Sequence, residues 1–237
     1  MKFKSYFVLL ALLVVVFSSC KRMCIVGSGN VITKERVLTH FTGLDVSGAY
    51  SVELTQDSVQ KVEIIADDNL HPQILTSVNG NVLKIHNKKD FCVTHSIVVK
   101  IHMKDLSKVD ASGAVNVKMM NQFKINELLF TSSGATESEL NLNANKLVTK
   151  ISGAGKVSFS GQAAEHSIDI SGAGKIRAYD MVTNKCTIDV SGASDSEVNV
   201  LSELIVSASG ASKVRYKGTP AKVVDNASGA SSVEKAN

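Results

Sequence analysis

The chain has 237 residues, 44% apolar and 20% charged, with 16 Gly and 2 Pro. It is too apolar for a disordered chain and long enough for one large domain or two small ones. Net charge is +4 with no dense Lys/Arg stripe, which argues against nucleic-acid binding, and the absence of Trp leaves a core of Val, Ile, Leu and Ala, better suited to stacked strands than to a helical bundle.

Lys2 and Lys4 precede an unbroken apolar run from Tyr6 to Phe17. Twelve residues are too few to span a bilayer as a helix but suit the apolar region of an export signal. Ser18-Ser19-Cys20 follows at once and resembles the lipobox of bacterial lipoproteins, with Phe17 where Leu is usual. The segment 1–19 is therefore expected to be removed, leaving Cys20 as an acylated N-terminus and 20–30 as a tether. Export places the protein in the cell envelope, anchored through acyl chains, most naturally at the outer membrane. Three further cysteines, Cys24, Cys92 and Cys186, leave at least one unpaired. With no Cys-x-x-Cys spacing, each reads as a small buried hydrophobe.

From residue 31 to about 107 the pattern is irregular. Gly27-Ser28-Gly29-Asn30 reads as a degenerate first turn. Val59 to Ala66 and Ile97 to Met103 read as strands, and Asp67 to Leu75 as one helical turn interrupted by Pro72. Asn79-Gly80 between two alternating runs is a hairpin signal. This stretch reads as irregular first coils and a cap on the same solenoid.

From 108 to 237 the chain repeats itself. Ser-Gly-Ala occurs eight times, beginning at Ser47, Ser112, Ser133, Ser152, Ser171, Ser191, Ser209 and Ser228. From Ser112 the intervals are 21, 19, 19, 20, 18 and 19 residues, a solenoid period. The 65-residue step from Ser47 to Ser112 corresponds to about three periods. Around each triplet, apolar and polar residues alternate with period two, the signature of strand. Each unit of about 19–20 residues thus predicts one circuit of an all-β parallel β-helix. Gly48, Gly113, Gly134, Gly153, Gly172, Gly192, Gly210 and Gly229 would form its tight turns, since Gly tolerates positive φ.

The leader, the run Phe41-Thr42-Gly43-Leu44-Asp45-Val46-Ser47-Gly48-Ala49 and the ladder of Ser-Gly-Ala turns resemble the family called putative auto-transporter adhesin, head GIN domain (DUF2807), over residues 31 to 237. The resemblance implies a right-handed parallel β-helix similar to the pectin lyases and a role in cell adhesion. The family has no assigned catalytic residues, so none carries over.

Candidate sites are few. Asp169 and Asp189 take the same outward place in consecutive units, about 5 Å apart, compatible with a retaining carboxylate pair or part of a calcium site. Flanked by Lys150 and Ser207, with Lys156 and Lys175 nearby, they read as a solvated, compensated face. His86, Cys92, His95 and His102 match no common zinc spacing, so neither metal nor cofactor is expected. Asn116, Lys118, Lys156, Lys175, Arg177, Asp195, Lys213 and Arg215 are expected to decorate one flat face, suited to multivalent binding of a glycan or a protein partner. Open strand edges at the ends of the stack offer a route to homo-oligomers. The sequence thus points to a non-enzymatic envelope protein of surface-binding or adhesin type. The alternatives are a periplasmic scaffold with a protein partner and a carbohydrate-active enzyme on the same fold.

Overall fold

The structure is a computed structural model that describes residues 24–92 and 95–236. The expected export segment and the Cys20 attachment point lie outside the described residues.

Alternation of β-branched and polar residues gives long strands that bend without breaking. Strands β1 to β9 are Ile25–Val26, Val31–Glu35, Gly43–Gly48, Ser51–Gln56, Lys61–Asp67, Ile74–Asn79, Val82–Asn87, Phe91–Cys92 and Val98–Met103. Strands β10 to β19 are Lys108–Gly113, Asn116–Met119, Phe123–Gly134, Glu137–Gly153, Lys156–Gly172, Lys175–Gly192, Asp195–Ala208, Lys213–Lys217, Lys222–Ala227 and Ser232–Lys235. The expected helical turn is a short 3-10 helix, His71–Gln73. From β10 to β19 every pairing is parallel and links one coil to the next, so the fold is a parallel β-solenoid.

All eight triplet glycines have positive φ, from 71° to 132°. From Gly113 onward they are also pressed against the preceding coil. A Cβ on Gly172 would lie 2.8 Å from the carbonyl oxygen of Gly153, and one on Gly192 would lie 2.5 Å from that of Gly172. That same oxygen accepts a hydrogen bond from the following alanine of the next coil, as in Ala173 N–H to Gly153 O at 2.8 Å. The corner is therefore a hydrogen-bonded ladder in which Gly is required twice over, for φ and for approach. Inside the corner, large and small residues compensate. Ile151 faces Gly155 and Ile170 faces Gly174, where an added Cβ would come within 3.1 Å and 2.7 Å of the isoleucine methyls.

Two sequence expectations are corrected at the N-terminal end. First, no three coils intervene between Ser47 and Ser112. Ser47 and Gly48 stand directly beside Ser112 and Gly113 in parallel register. The chain leaves β4, folds outward and returns. On the way β7 and β9 lie parallel on the outer side of β3 and β4, while β5 runs antiparallel to β2 and β9, and β6 to β7. Loop entropy grows only slowly with length, so a long excursion that closes an open sheet end is tolerated. The Asn79-Gly80 hairpin is present within it, with Gly80 at φ 59°. Second, Gly27–Asn30 is not a coil turn. The Ser28 hydroxyl and the Asn30 amide donate to the carboxylate of Asp68, fastening the segment to the β5 end.

The cysteine expectation is corrected too. Cys24 and Cys92 form a disulfide, with Cα atoms 5.4 Å apart, beside the short parallel pair β1–β8. They are 68 positions apart in sequence, so no local spacing signalled the bond. Cys186 is the buried free thiol, and burial pushes its pKa up to about 12.

The core is one continuous apolar filling, with Phe41, Phe123 and Phe130 its largest fully buried side chains. Its rows end differently at the last coil. The inward row Ile168, Ile188, Val206 ends in Asp225, and the row Ala178, Val198, Tyr216 ends in Lys235.

Candidate binding face

Strand register assembles the outward side chains into rows. Asn116, Glu137, Lys156, Lys175, Asp195 and Lys213 form one row. Lys118, Glu139, Ser158, Arg177, Glu197, Arg215 and Glu234 form the next. The eight polar residues singled out from sequence thus share one face. What the sequence reading missed is the order of their charges. Lys100, Glu53, Lys118 and Glu139 alternate in sign up the second row, and Arg177, Glu197, Arg215 and Glu234 alternate again beyond Ser158.

Most of these charges are paired across neighbouring coils. Lys118 meets Glu139 at 2.7 Å and Lys156 meets Glu137 at 2.8 Å. Arg215 reaches Glu197 at 2.7 Å and Asp195 at 2.9 Å, while Arg177 shares Asp195 at 3.0 Å. Hydrogen bonding to Lys156 holds the Glu137 carboxyl below its ordinary pKa, and bonding to Glu139 raises that of Lys118. A second alternating ladder, Glu127, Lys146, Glu165, Lys185, Glu203 and Lys222, climbs a different edge. Each member stands six residues before a triplet serine, and the row through Glu53 and Lys118 stands six after. That fixed offset was the available signal.

The other candidates do not converge. Asp169 and Asp189 are register neighbours and exposed on a different flat face. Cys92 is in the disulfide, His102 Nδ1 lies 3.3 Å from Asp57, and His95 Nδ1 lies 3.8 Å from Asp67. Among the described residues no group of three His, Cys, Asp or Glu side chains is placed to hold a metal ion.

Among the described residues, two grooves bear on these candidates. One, of about 470 Å³, lies at the β3–β7 boundary among Asp45, Ser47, Lys84, His86, Asn87 and Asp90. The other, of about 280 Å³, lies on the charged face among Glu139, Asn141, Ser158, Ser160, Arg177 and Asp180.

Residues 40–220 match the family described as "Putative auto-transporter adhesin, head GIN domain". The chain belongs to this family. Among solved structures, a "putative adhesin" from Bacteroides fragilis is 22% identical, with a TM-score of 0.85, covering 90% of this chain and 100% of its own. A "putative lipid binding protein" from Parabacteroides distasonis is 19% identical, with a TM-score of 0.70, covering 90% and 99%. A "putative adhesin" from Parabacteroides merdae is 24% identical, with a TM-score of 0.67 and the same coverage. At these identities the likeness establishes the GIN-family fold alone. No curated protein matches the chain.

Proposed function

We propose that this GIN-domain protein is a non-enzymatic envelope lipoprotein of adhesin type. On this reading it is acylated at Cys20 and presents its charged face to a repetitive ligand. The observation that carries the reading is the face itself. It is continuous over eight corners and lined by side chains whose positions repeat with each coil. At about 4.8 Å per coil it runs roughly 34 Å, long enough for a chain ligand to be held by many weak contacts. The family description and the leader with Ser18-Ser19-Cys20 support the same reading. A second reading is a periplasmic scaffold, favoured by Lys21-Arg22-Met23, which lacks the acids that some surface-exported lipoproteins carry after the acylated Cys.

Protease treatment of intact and lysed cells separates the two, with an epitope tag after Asn237. Loss of the tag on intact cells supports surface display. Protection until lysis sinks the adhesin reading and leaves the scaffold.

A further inference from the structure

On the charged face two departures from the repeat coincide at one spot. The first is in the charge ladder. Alternation fails at Ser158, between Glu139 and Arg177. Both flanking charges turn away from it, Glu139 to Lys118 at 2.7 Å, and Arg177 to Asp195 at 3.0 Å and Glu197 at 3.4 Å. The second is in the backbone. The interval from Ser171 to Ser191 is 20 residues rather than 19, and the register of β14 on β15 shifts between Ser158 and Ser160, so that Ser160 pairs with Asp180. The extra residue is a bulge of the kind that re-aims side chains beside binding sites. Tyr179, drawn outward there, has its carbonyl held by the Asn199 amide at 3.2 Å and Lys217 over its ring at 4.6 Å. Where these departures meet lies the 280 Å³ groove.

We propose that this groove is a subsite for one neutral sugar residue of a glycan. The inference rests on the adhesin-type reading and names its ligand class. The floor offers the half-buried hydroxyls of Ser158 and Ser160 and the amide of Asn141, groups that both donate and accept. The exposed Asp180 carboxylate at the rim accepts hydrogen bonds from vicinal hydroxyls. Glu139 and Arg177 are already neutralised by their own partners, so a charged ligand gains little from them. An anion also faces Glu139 and Asp180. The volume is at the small end of ligand pockets, suited to a single ring. A repetitive glycan laid along the face would place one residue here and rest on the flat ladders either side.

The test is saturation-transfer NMR on the purified full chain with glucose, galactose, mannose and N-acetylglucosamine. Glucuronate and glucosamine serve as charged probes. A neutral sugar should receive saturation. Ser158→Lys, which fills the groove from its half-buried floor, should weaken its binding at least tenfold, and Asp180→Asn several-fold. Thermal melts coincident with the parent would show that both variants fold. Lys150→Ala, on another face, should leave binding unchanged. The proposal is overturned if no neutral sugar binds, if a charged probe binds in preference, or if a folded Ser158→Lys binds as well as the parent. A protein displayed on intact cells that ignores all sugars loses the groove and keeps the display reading; one that binds sugar but is protected on intact cells does the reverse.

Discussion

Residue by residue, the fold depends on atoms that have no room. Gly172 combines φ 117° with a carbonyl 2.8 Å from where a Cβ would lie, whereas Gly29 has φ 81° and nothing within 4 Å. Both positions strain an alanine, at roughly 1–3 kcal/mol, but only Gly172 adds a backbone collision. Gly172→Ala should therefore lower the denaturation midpoint well beyond Gly29→Ala; equal losses would remove the stacking argument. His166 is the buried exception among apolar neighbours. Its Nε2 lies 2.9 Å from the Thr149 hydroxyl, its ring sits edge-on to Phe159 at 5.1 Å, and its Nδ1 has no partner. Burial lowers its pKa from 6.5 to about 3. Between those values the unfolded chain binds the proton and the native one does not, so stability rises with pH across the window and falls as pH drops from 6.5 towards 3. The slope is up to about 1.4 kcal/mol per pH unit. Urea titrations at pH 4 and pH 7 should show the loss, and His166→Leu should reduce it.

At the level of strands, parallel in-register stacking brings each coil's charge against the same position of its neighbour, and identical repeats would stack like on like. Alternating Glu127, Lys146, Glu165, Lys185, Glu203 and Lys222 avoids this. Because the pairs are exposed, their effect should be small and screened by salt. Lys185→Glu puts three acids in succession, and its drop in melting temperature should shrink in 1 M NaCl. A salt-independent drop would mean a packing effect instead. Covalent linkage acts on a longer scale. The Cys24–Cys92 bond closes a loop with a sequence separation of 68. Chain entropy gives such a loop about 4 kcal/mol of stabilisation. Cys24→Ser with Cys92→Ser should lose most of this in chemical denaturation, with protease cuts appearing first in the 24–30 segment.

Considered whole, the molecule has unlike ends. The N-terminal end is closed by antiparallel strands. The C-terminal edge instead sets Asp225 and Lys235 at positions that carry apolar side chains in the coils below. Charges at inward positions blunt an edge against pairing. The homo-oligomer anticipated from open edges is thus opposed at this end. Asp225→Val with Lys235→Leu should produce end-to-end association in light scattering, and a variant no larger than the parent would refute the blunting role. Much of this was legible beforehand. The triplets fixed the coil period, and alternation around them fixed which residues point inward. The alternation of charge was legible too, at a fixed offset of six residues from each triplet serine. Two things were hidden for a common reason. The outward excursion of 57–107 and the Cys24–Cys92 bond depend on distant residues becoming neighbours where the chain carries no repeat. The bulge at Tyr179 was visible as one 20-residue interval, but its meaning required Ser158 beside it.

The excursion also sets an order of events. Strands β3 and β4 are flanked on one side by β7 and β9 and on the other by β10 and β11, all of which follow them in the chain. A chain that emerges from the ribosome N-terminus first therefore exposes its first coil with nothing on which to pair. That coil stays open until residues up to 119 have emerged. From β12 onward each coil finds a completed one waiting, so the late part of the molecule can assemble as fast as it arrives. The early part is where strand edges wait longest for their partners.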